Sequence, residues 1–211
     1  MDYQYGKSCR EELVPFLPVG YHRILEVGCA YGAFRENLKQ KNEYWGIEPS
    51  EFASRTAAKN LDKVLVGGFD EVYDQLPDKY FDLVICNDVI EHLPDHNDFF
   101  EKVKGKMTDD SVMVGAIPNV RHIKNLFNLL IKKDWQYQEN GILDYTHLRF
   151  FTQKSLLKIF DNMSYKVEQI GGINEEAFKW TLKYFAKYPV YFVFGNDLKY
   201  TQFAFRVRPA R

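Results

Sequence analysis

Hydrophobic residues along this chain fall into short apolar runs separated by longer amphipathic stretches. Apolar runs without strict alternation are typical of parallel strands buried on both faces. They predict strands at residues 24–27, 44–47, 63–66, 79–87, 112–117, 165–170 and 200–207. The stretches around them predict helices at 10–16, 33–41, 51–60, 71–76, 95–107, 123–132, 153–163 and 174–188. This alternation of strands and helices is typical of a doubly wound α/β fold with a parallel sheet.

Two parts of the chain depart from that alternation. Residues 118–151, which include the helix predicted at 123–132, separate the fifth predicted strand from the helix at 153–163, and so long a connection within a compact domain is usually functional. In the strand at 200–207, Phe203, Phe205 and Val207 alternate with polar residues. No linker divides the sequence, so we expect one domain over residues 1–211, with an insert at 118–151.

Composition adds limits to this interpretation. The 211 residues are 45% hydrophobic, which is ample for one core, and a net charge of −1 gives no electrostatic argument for nucleic-acid binding. No apolar run reaches the roughly eighteen residues of a membrane-spanning helix, and the first residues do not form a signal peptide. Cys9, Cys29 and Cys86 lack paired spacing. We therefore expect free thiols and a cytoplasmic protein.

The first strand ends in a turn of small residues. Gly28, Ala30 and Gly32 occupy alternate positions, and small side chains at a strand-to-helix turn let a ligand approach the backbone closely. Glu48 ends the second strand, where a carboxylate can accept hydrogen bonds from both hydroxyls of a ribose. This stretch therefore predicts a cofactor with a nucleoside part, lying over the carboxyl ends of strands one and two.

The spacing of the small residues separates two cofactor classes. Dinucleotide enzymes carry G-x-G-x-x-G, whereas this chain has Gly28-x-Ala30-x-Gly32, with Glu26 two residues earlier. That pattern resembles motif I of the class I S-adenosylmethionine (SAM) dependent methyltransferases, acid-x-G-x-G-x-G, with Ala30 in place of the middle glycine. The phrases FDLV at residues 81–84 and VIEHLPD at 89–95 resemble motif IV of small-molecule methyltransferases.

The resemblance implies a seven-stranded, mostly parallel Rossmann-like sheet that ends in an antiparallel hairpin. It implies SAM as the cofactor and S-adenosylhomocysteine as the product. It also implies that Asp70, beside Phe69, binds the adenine amino group, and that Asn87 and Asp88 lie beside the methionine part. The residues to which it assigns cofactor contacts are Glu26, Gly28, Cys29, Ala30, Gly32, Glu48, Pro49, Phe69, Asp70, Asn87 and Asp88.

The flanking segment and the insert carry the residues expected to meet the acceptor. In methyltransferases of this build, a segment such as residues 1–22 covers the cofactor, so Tyr5 is a candidate contact. The insert phrases PNVRH at 118–122 and DYTHLR at 144–149 resemble small methyltransferases associated with bacterial cell-surface polysaccharide gene sets. The resemblance spans roughly residues 20–170 and implies transfer to a sugar-like hydroxyl. The candidate substrate-binding residues are Arg121, His122, Asp144, Arg149 and Tyr5.

Methyl transfer to a hydroxyl benefits from a nearby base, and histidine suits that role because its pKa lies near neutrality. His92 and His147 are the candidates, and we favour His147 because a histidine in a closing loop can shield the reaction from water. Arg121 and Arg149 suit a phosphate or carboxylate on the acceptor, although an ion pair with Asp144 is an alternative for Arg149. Asp88, His92 and His147 are of residue types that can bind a metal ion, but no short ligand spacing supports such a site, so we expect none.

Two other functions remain open at this point. An NAD-type oxidoreductase is disfavoured by the missing G-x-x-G step and by the lack of a Tyr-x-x-x-Lys pair. A SAM-binding module without catalysis is disfavoured by the presence of Glu48, His92 and His147, which such a module does not need. The leading expectation is a methyltransferase that acts on a small polar acceptor and not on nucleic acid.

Overall fold

A computed structural model describes residues 9–175 and 188–210. Seven strands form one sheet in the order β3-β2-β1-β4-β5-β7-β6. Strands β1 to β5 run parallel, whereas β7 is antiparallel to both of its neighbours. The mostly parallel sheet and its antiparallel hairpin are therefore confirmed. The strands are β1 Arg23–Val27, β2 Glu43–Glu48, β3 Lys63–Val66, β4 Phe81–Asn87, β5 Met107–Pro118, β6 Tyr165–Glu175 and β7 Tyr200–Pro209.

Helices cover both faces of the sheet, and side chains cap two of them at their N-termini. The Ser50 side chain accepts a hydrogen bond from the backbone N–H of Ala53 (3.3 Å), and Thr152 accepts one from Ser155 (3.1 Å). The α-helices are α1 Glu51–Ala57, α2 Phe69–Val72, α3 His96–Lys106, α4 Ile123–Leu130, α5 Gln153–Asn162 and α6 Tyr188–Phe194. The 3-10 helices are Glu11–Phe16, Ala33–Asn37, Tyr73–Gln75, Ile90–His92 and Asn196–Lys199.

Several element boundaries differ from those predicted. The helix expected over 33–41 is a short 3-10 helix, Ala33–Asn37, and the segment after residue 188, where no element was predicted, begins with helix α6. Most of the helix predicted at 174–188 lies outside the described residues. Within the described part of the chain, no helix has both the length and the apolar composition needed to cross a membrane.

The central strands are buried on both faces, which explains their uninterrupted apolar sequences. In β1, Ile24 packs into the core on one face, whereas Leu25 and Val27 pack into the core on the other. β1 and β4 are neighbours in the sheet, although β2 and β3 lie between them in the sequence. The connections after β1 and β4 lead in opposite directions along the sheet, and a crevice opens beyond the carboxyl ends of strands at such a switch point.

Candidate active site

A cavity of about 620 Å³ lies at the carboxyl ends of β1, β2 and β4. This volume is within the range of roughly 300–1,000 Å³ that is usual for small-molecule sites. The cavity combines an apolar floor with a small set of polar groups. Its lining includes Arg10, Glu26, Gly28, Cys29, Ala30, Glu48, Pro49, Phe69, Asn87, Asp88, His92 and Thr146.

The turn after β1 holds its backbone close to the cavity. Gly28 and Cys29 both donate backbone hydrogen bonds to the carbonyl oxygen of Ile47, at 2.8 and 3.0 Å. Gly28 has φ +72°, and a Cβ atom placed there would lie 2.6 Å from Cγ2 of Val89. Ala30 also has a positive φ, 46°, which is uncommon for a residue with a side chain. The turn therefore depends on glycine at 28 both for its conformation and for space.

Glu48 joins the turn to the end of β2. Its buried carboxylate accepts hydrogen bonds from the backbone N–H groups of Ala30 (2.9 Å) and Ser50 (2.8 Å). Burial raises the pKa of Glu48, while these two N–H groups lower it. Each carboxylate oxygen can accept a second hydrogen bond. Glu48 can therefore hold the turn and still accept hydrogen bonds from a ligand in the cavity.

Asn87, the last residue of β4, offers an unused amide to the cavity. Both its side-chain nitrogen and its side-chain oxygen are buried, and neither has a hydrogen-bond partner among the described residues. Buried polar groups are normally paired, because leaving one unpaired costs about 1–3 kcal/mol. An amide that both donates and accepts suits the amino-acid end of a ligand, which carries an ammonium and a carboxylate.

His92 reaches the cavity from the 3-10 helix that follows β4. Its Nδ1 lies 3.0 Å from the hydroxyl oxygen of Thr146, and that hydroxyl donates its proton to Oδ1 of Asp144 (2.7 Å). The hydroxyl must therefore accept a hydrogen bond from Nδ1–H, which leaves the lone pair of His92 on Nε2. Burial lowers the pKa of His92, and the neighbouring His147 lowers it further.

His147 lies behind His92 rather than at the cavity surface. The two imidazole rings meet edge to face with 4.7 Å between centroids. Nδ1 of His147 lies 3.1 Å from the carbonyl oxygen of Ile142, and Nε2 lies 3.9 Å from Oε1 of Glu91. The insert therefore meets the cavity through Thr146, a residue that sequence reasoning missed, and supports His92 through His147.

A family model described as a methyltransferase domain matches residues 1–170 of the chain. The chain belongs to this methyltransferase family. Two curated relatives, both named ubiquinone biosynthesis O-methyltransferase, come from Shewanella sp. (strain ANA-3) and Bradyrhizobium diazoefficiens. The Shewanella protein is 22% identical over 83% of this chain and 76% of its own length. The Bradyrhizobium protein is 26% identical over 78% of this chain and 67% of its own length.

Solved structures share the fold of this methyltransferase. A SAM-dependent methyltransferase from Archaeoglobus fulgidus has a TM-score of 0.67 and 21% identity, and the match covers 95% of this chain and 91% of that one. One from Mesorhizobium loti has a TM-score of 0.62 and 18% identity, covering 96% and 100% of the two chains. The cofactor of this methyltransferase is SAM.

The residues of the methyltransferase fit SAM at three points. A side chain at residue 28 would fill the space over Gly28. The amide of Asn87, which has no partner among the described residues, suits a charged ligand end, and Glu48 can accept further hydrogen bonds. SAM supplies a methyl group on a positively charged sulfur, while these residues bind and orient it. Glu26, which also lines the cavity, accepts a hydrogen bond from the Tyr44 hydroxyl (2.8 Å).

Two predicted cofactor residues of the methyltransferase are engaged elsewhere. Asp70 is exposed, forms an ion pair with Lys102 (2.8 Å) and lies outside the cavity lining, whereas its neighbour Phe69 lines it. Asp88 lines the cavity but is bound to Arg10 (2.5 Å) and to the side chain of Gln202. The adenine contact expected of Asp70 does not fit this position.

The predicted substrate-binding residues of the insert do not line the cavity. Arg121 forms an ion pair with Asp197 (2.6 Å), so it ties the insert to the 3-10 helix Asn196–Lys199, which precedes β7. Arg149 donates to the carbonyl oxygen of Pro94 (2.8 Å), not to Asp144. His122 is buried at the start of α4. Tyr5 lies outside the described residues, but Arg10, from the same segment, lines the cavity.

Proposed function

We propose that this methyltransferase transfers the methyl group of SAM to an oxygen of a small polar acceptor, a hydroxyl of a sugar or sugar-like group. The observation that carries the proposal is the position of His92, which lines the same cavity as the cofactor turn and Asn87. The imidazole of His92 carries its proton on Nδ1, so Nε2 has a free lone pair. The names of the curated relatives, both O-methyltransferases, support oxygen as the methylated atom.

The groups around His92 suit a polar acceptor. Arg10 and Asp88 form a charged pair at the cavity wall, and Thr146 adds a hydroxyl beside them. Such groups can donate and accept hydrogen bonds with several acceptor hydroxyls and so orient one of them. Because the methyl donor is already activated, alignment of oxygen, carbon and sulfur supplies much of the catalysis.

His92 is better placed than His147 to activate the acceptor hydroxyl. His92 lines the cavity, whereas His147 lies behind it and contacts Glu91. The pKa of His92 is lowered by burial and by His147, so the ring is neutral at pH 7 and keeps its Nε2 lone pair. We therefore assign the direct role to His92 and a supporting role to His147, which reverses the preference drawn from the sequence.

Mass spectrometry after incubation with SAM tests the proposal. The acceptor panel contains monosaccharides, nucleotide sugars, phenols and primary amines, and we expect a methyl ether from a sugar-type hydroxyl. His92→Ala should lower turnover by about 10²–10⁴-fold, the usual effect of losing an acid–base group, with SAM affinity unchanged in calorimetry. His22→Ala, an exposed histidine outside the site, is the control.

Methylation of amines alone would contradict the assignment to oxygen. Methyl ethers from phenols alone would contradict the sugar-like acceptor but leave O-methylation intact. Full turnover by His92→Ala would contradict the role of His92.

A further inference from the structure

Behind the acceptor end of the cavity lie Glu91, His92 and His147, here called the carboxylate–histidine cluster. One possible ligand atom from each residue lies within 4.8 Å of the other two. Glu91 and His147 are buried, and His92 is partly buried at the cavity wall. Glu91 and His92 come from the 3-10 helix after β4, whereas His147 comes from the insert. The fold, rather than any local spacing, therefore assembles this cluster.

Contacts outside the cluster orient both imidazoles. Nδ1–H of His92 donates to the Thr146 hydroxyl, and that hydroxyl donates to Asp144. Nδ1 of His147 lies against the carbonyl oxygen of Ile142, which can only accept, so this nitrogen carries the proton as well. Both rings are thereby fixed in the tautomer with a free Nε2 lone pair, the arrangement that holds metal-binding histidines in place.

Among the described residues, no group donates a hydrogen bond to the carboxyl group of Glu91. The residue is 1% exposed, and neither carboxylate oxygen has a hydrogen-bond partner among the described residues. The backbone carbonyl of Glu91, in contrast, accepts hydrogen bonds from Leu148 (2.8 Å) and Arg149 (3.1 Å), which hold the insert against it. A buried carboxylate without donors is costly, and a cation between it and the two imidazoles would remove that cost.

We propose that Glu91, His92 and His147 bind a divalent transition-metal ion through one carboxylate oxygen and two Nε2 atoms. One ligand atom from each residue lies within 4.8 Å of the other two, so a point exists that is no more than about 2.8 Å from all three atoms. Shifts of about 0.7 Å per side chain would bring these to ordinary bonds of about 2.1 Å. Two imidazoles and a carboxylate favour Zn²⁺, Mn²⁺ or Fe²⁺ over Mg²⁺ or Ca²⁺, which prefer oxygen ligands.

The role of the ion rests on the proposed function and refines it. Once the Nε2 lone pair of His92 binds the ion, the ion rather than the imidazole activates the acceptor hydroxyl. Three protein ligands leave at least one position open, and His92 brings that position to the cavity. A hydroxyl bound there becomes more acidic and loses its proton to water. The resulting oxygen then forms a bond to the methyl carbon as the carbon–sulfur bond breaks, and its electron pair stays on sulfur. An ion with five or six ligands would leave at least two positions open, and an acceptor with two neighbouring hydroxyls could occupy both.

Metal binding can be measured without SAM or an acceptor. Chelator-treated full chain is titrated with Zn²⁺, Mn²⁺ and Mg²⁺ in calorimetry and thermal denaturation. We expect one Zn²⁺ or Mn²⁺ per chain, a Tm that rises with metal concentration, and weaker binding of Mg²⁺. Glu91→Gln keeps the size of the side chain and the backbone contacts of Glu91 but should lower the affinity at least 100-fold. His22→Ala should bind as the wild type.

Two results would overturn the site: no stoichiometric Zn²⁺ or Mn²⁺ in the wild type, or unchanged affinity in Glu91→Gln. SAM calorimetry shows whether each variant is folded, and His92→Asn replaces Glu91→Gln if that variant fails to bind SAM. The site and the proposed function can fail separately. Metal binding with methylation of nitrogen leaves the site standing but contradicts the proposed function. O-methylation at full rate by metal-free protein supports the proposed function and contradicts the role of the ion in it.

Discussion

The buried carboxyl group of Glu26 makes the stability of this protein depend on pH. Burial raises the pKa of Glu26 from its ordinary value of 4.5 to about 8, even though a hydrogen bond from Tyr44 lowers it. The folded chain therefore keeps a proton that the unfolded chain releases. The stability that this proton contributes is fully present below about pH 4.5 and is lost as the pH rises through about 8.

Replacing Glu26 with glutamine should remove this pH dependence. Glutamine keeps the size and a hydrogen-bond acceptor for Tyr44 but does not titrate. The measurement is denaturant unfolding between pH 5 and 9. As the pH rises, the free energy of unfolding of the wild type should fall by a few kcal/mol relative to that of Glu26→Gln, since one pKa unit corresponds to about 1.4 kcal/mol. Parallel stability curves for the two proteins would show that Glu26 titrates normally in the fold.

Gly28 and Ala30 have similar backbone conformations but should respond differently to substitution. Gly28→Val places a side chain at φ +72°, against Val89, where the cofactor must pass. We expect loss of SAM binding in calorimetry, while circular dichroism stays near wild type. Ala30→Gly should leave SAM affinity within about twofold, because glycine adopts the positive φ of residue 30 readily and adds no atom to the cavity. Normal SAM binding by Gly28→Val would exclude the turn from the site.

At the scale of single elements, the insert orients His92 through the hydroxyl group of Thr146. Thr146→Val keeps the shape of the side chain but removes the link between Asp144 and His92. We expect kcat to fall about 10–100-fold, as for other outer contacts that orient a functional histidine, with the KM for SAM unchanged. Thr146→Ser restores the hydroxyl and should recover most of the activity. Equal kcat values for the valine and serine variants would show that the hydroxyl does not orient His92.

The elements were predictable where local chemistry determines them. The helices predicted at 51–60 and 153–163 begin where expected, directly after Ser50 and Thr152. Each of these residues caps its helix, and a cap needs only a side chain and the N–H groups that follow it. Asp70 was misplaced because its position depends on Lys102 in a distant helix. The length of the helix predicted at 33–41 was overestimated, since the 3-10 helix ends at Asn37 and the backbone of Leu38 is extended.

At the scale of the whole molecule, the order of strands and helices predicted which ends of the strands meet. The small-residue turn, Glu48 and Asn87 reach one cavity because parallel strands bring their carboxyl ends to one edge of the sheet. The carboxylate–histidine cluster was not predictable in this way. Glu91 and His147 are far apart in the sequence, and only the fold of the insert brings them within 3.9 Å. Sequence reasoning considered His92 and His147 but passed over Glu91, whose burial has no local signal.

The place of β7 between β5 and β6 also affects synthesis on the ribosome. β6 ends at Glu175 and β7 begins at Tyr200, so β6 leaves the exit tunnel before the strand that joins it to the sheet. Until then, one edge of β5 and the facing edge of β6 have backbone groups without partners, and such edges attract other chains. During this interval the strands that form the cofactor site are already paired, whereas the open edges of β5 and β6 can still pair with other chains. Chaperones would therefore protect the nascent protein mainly in this interval.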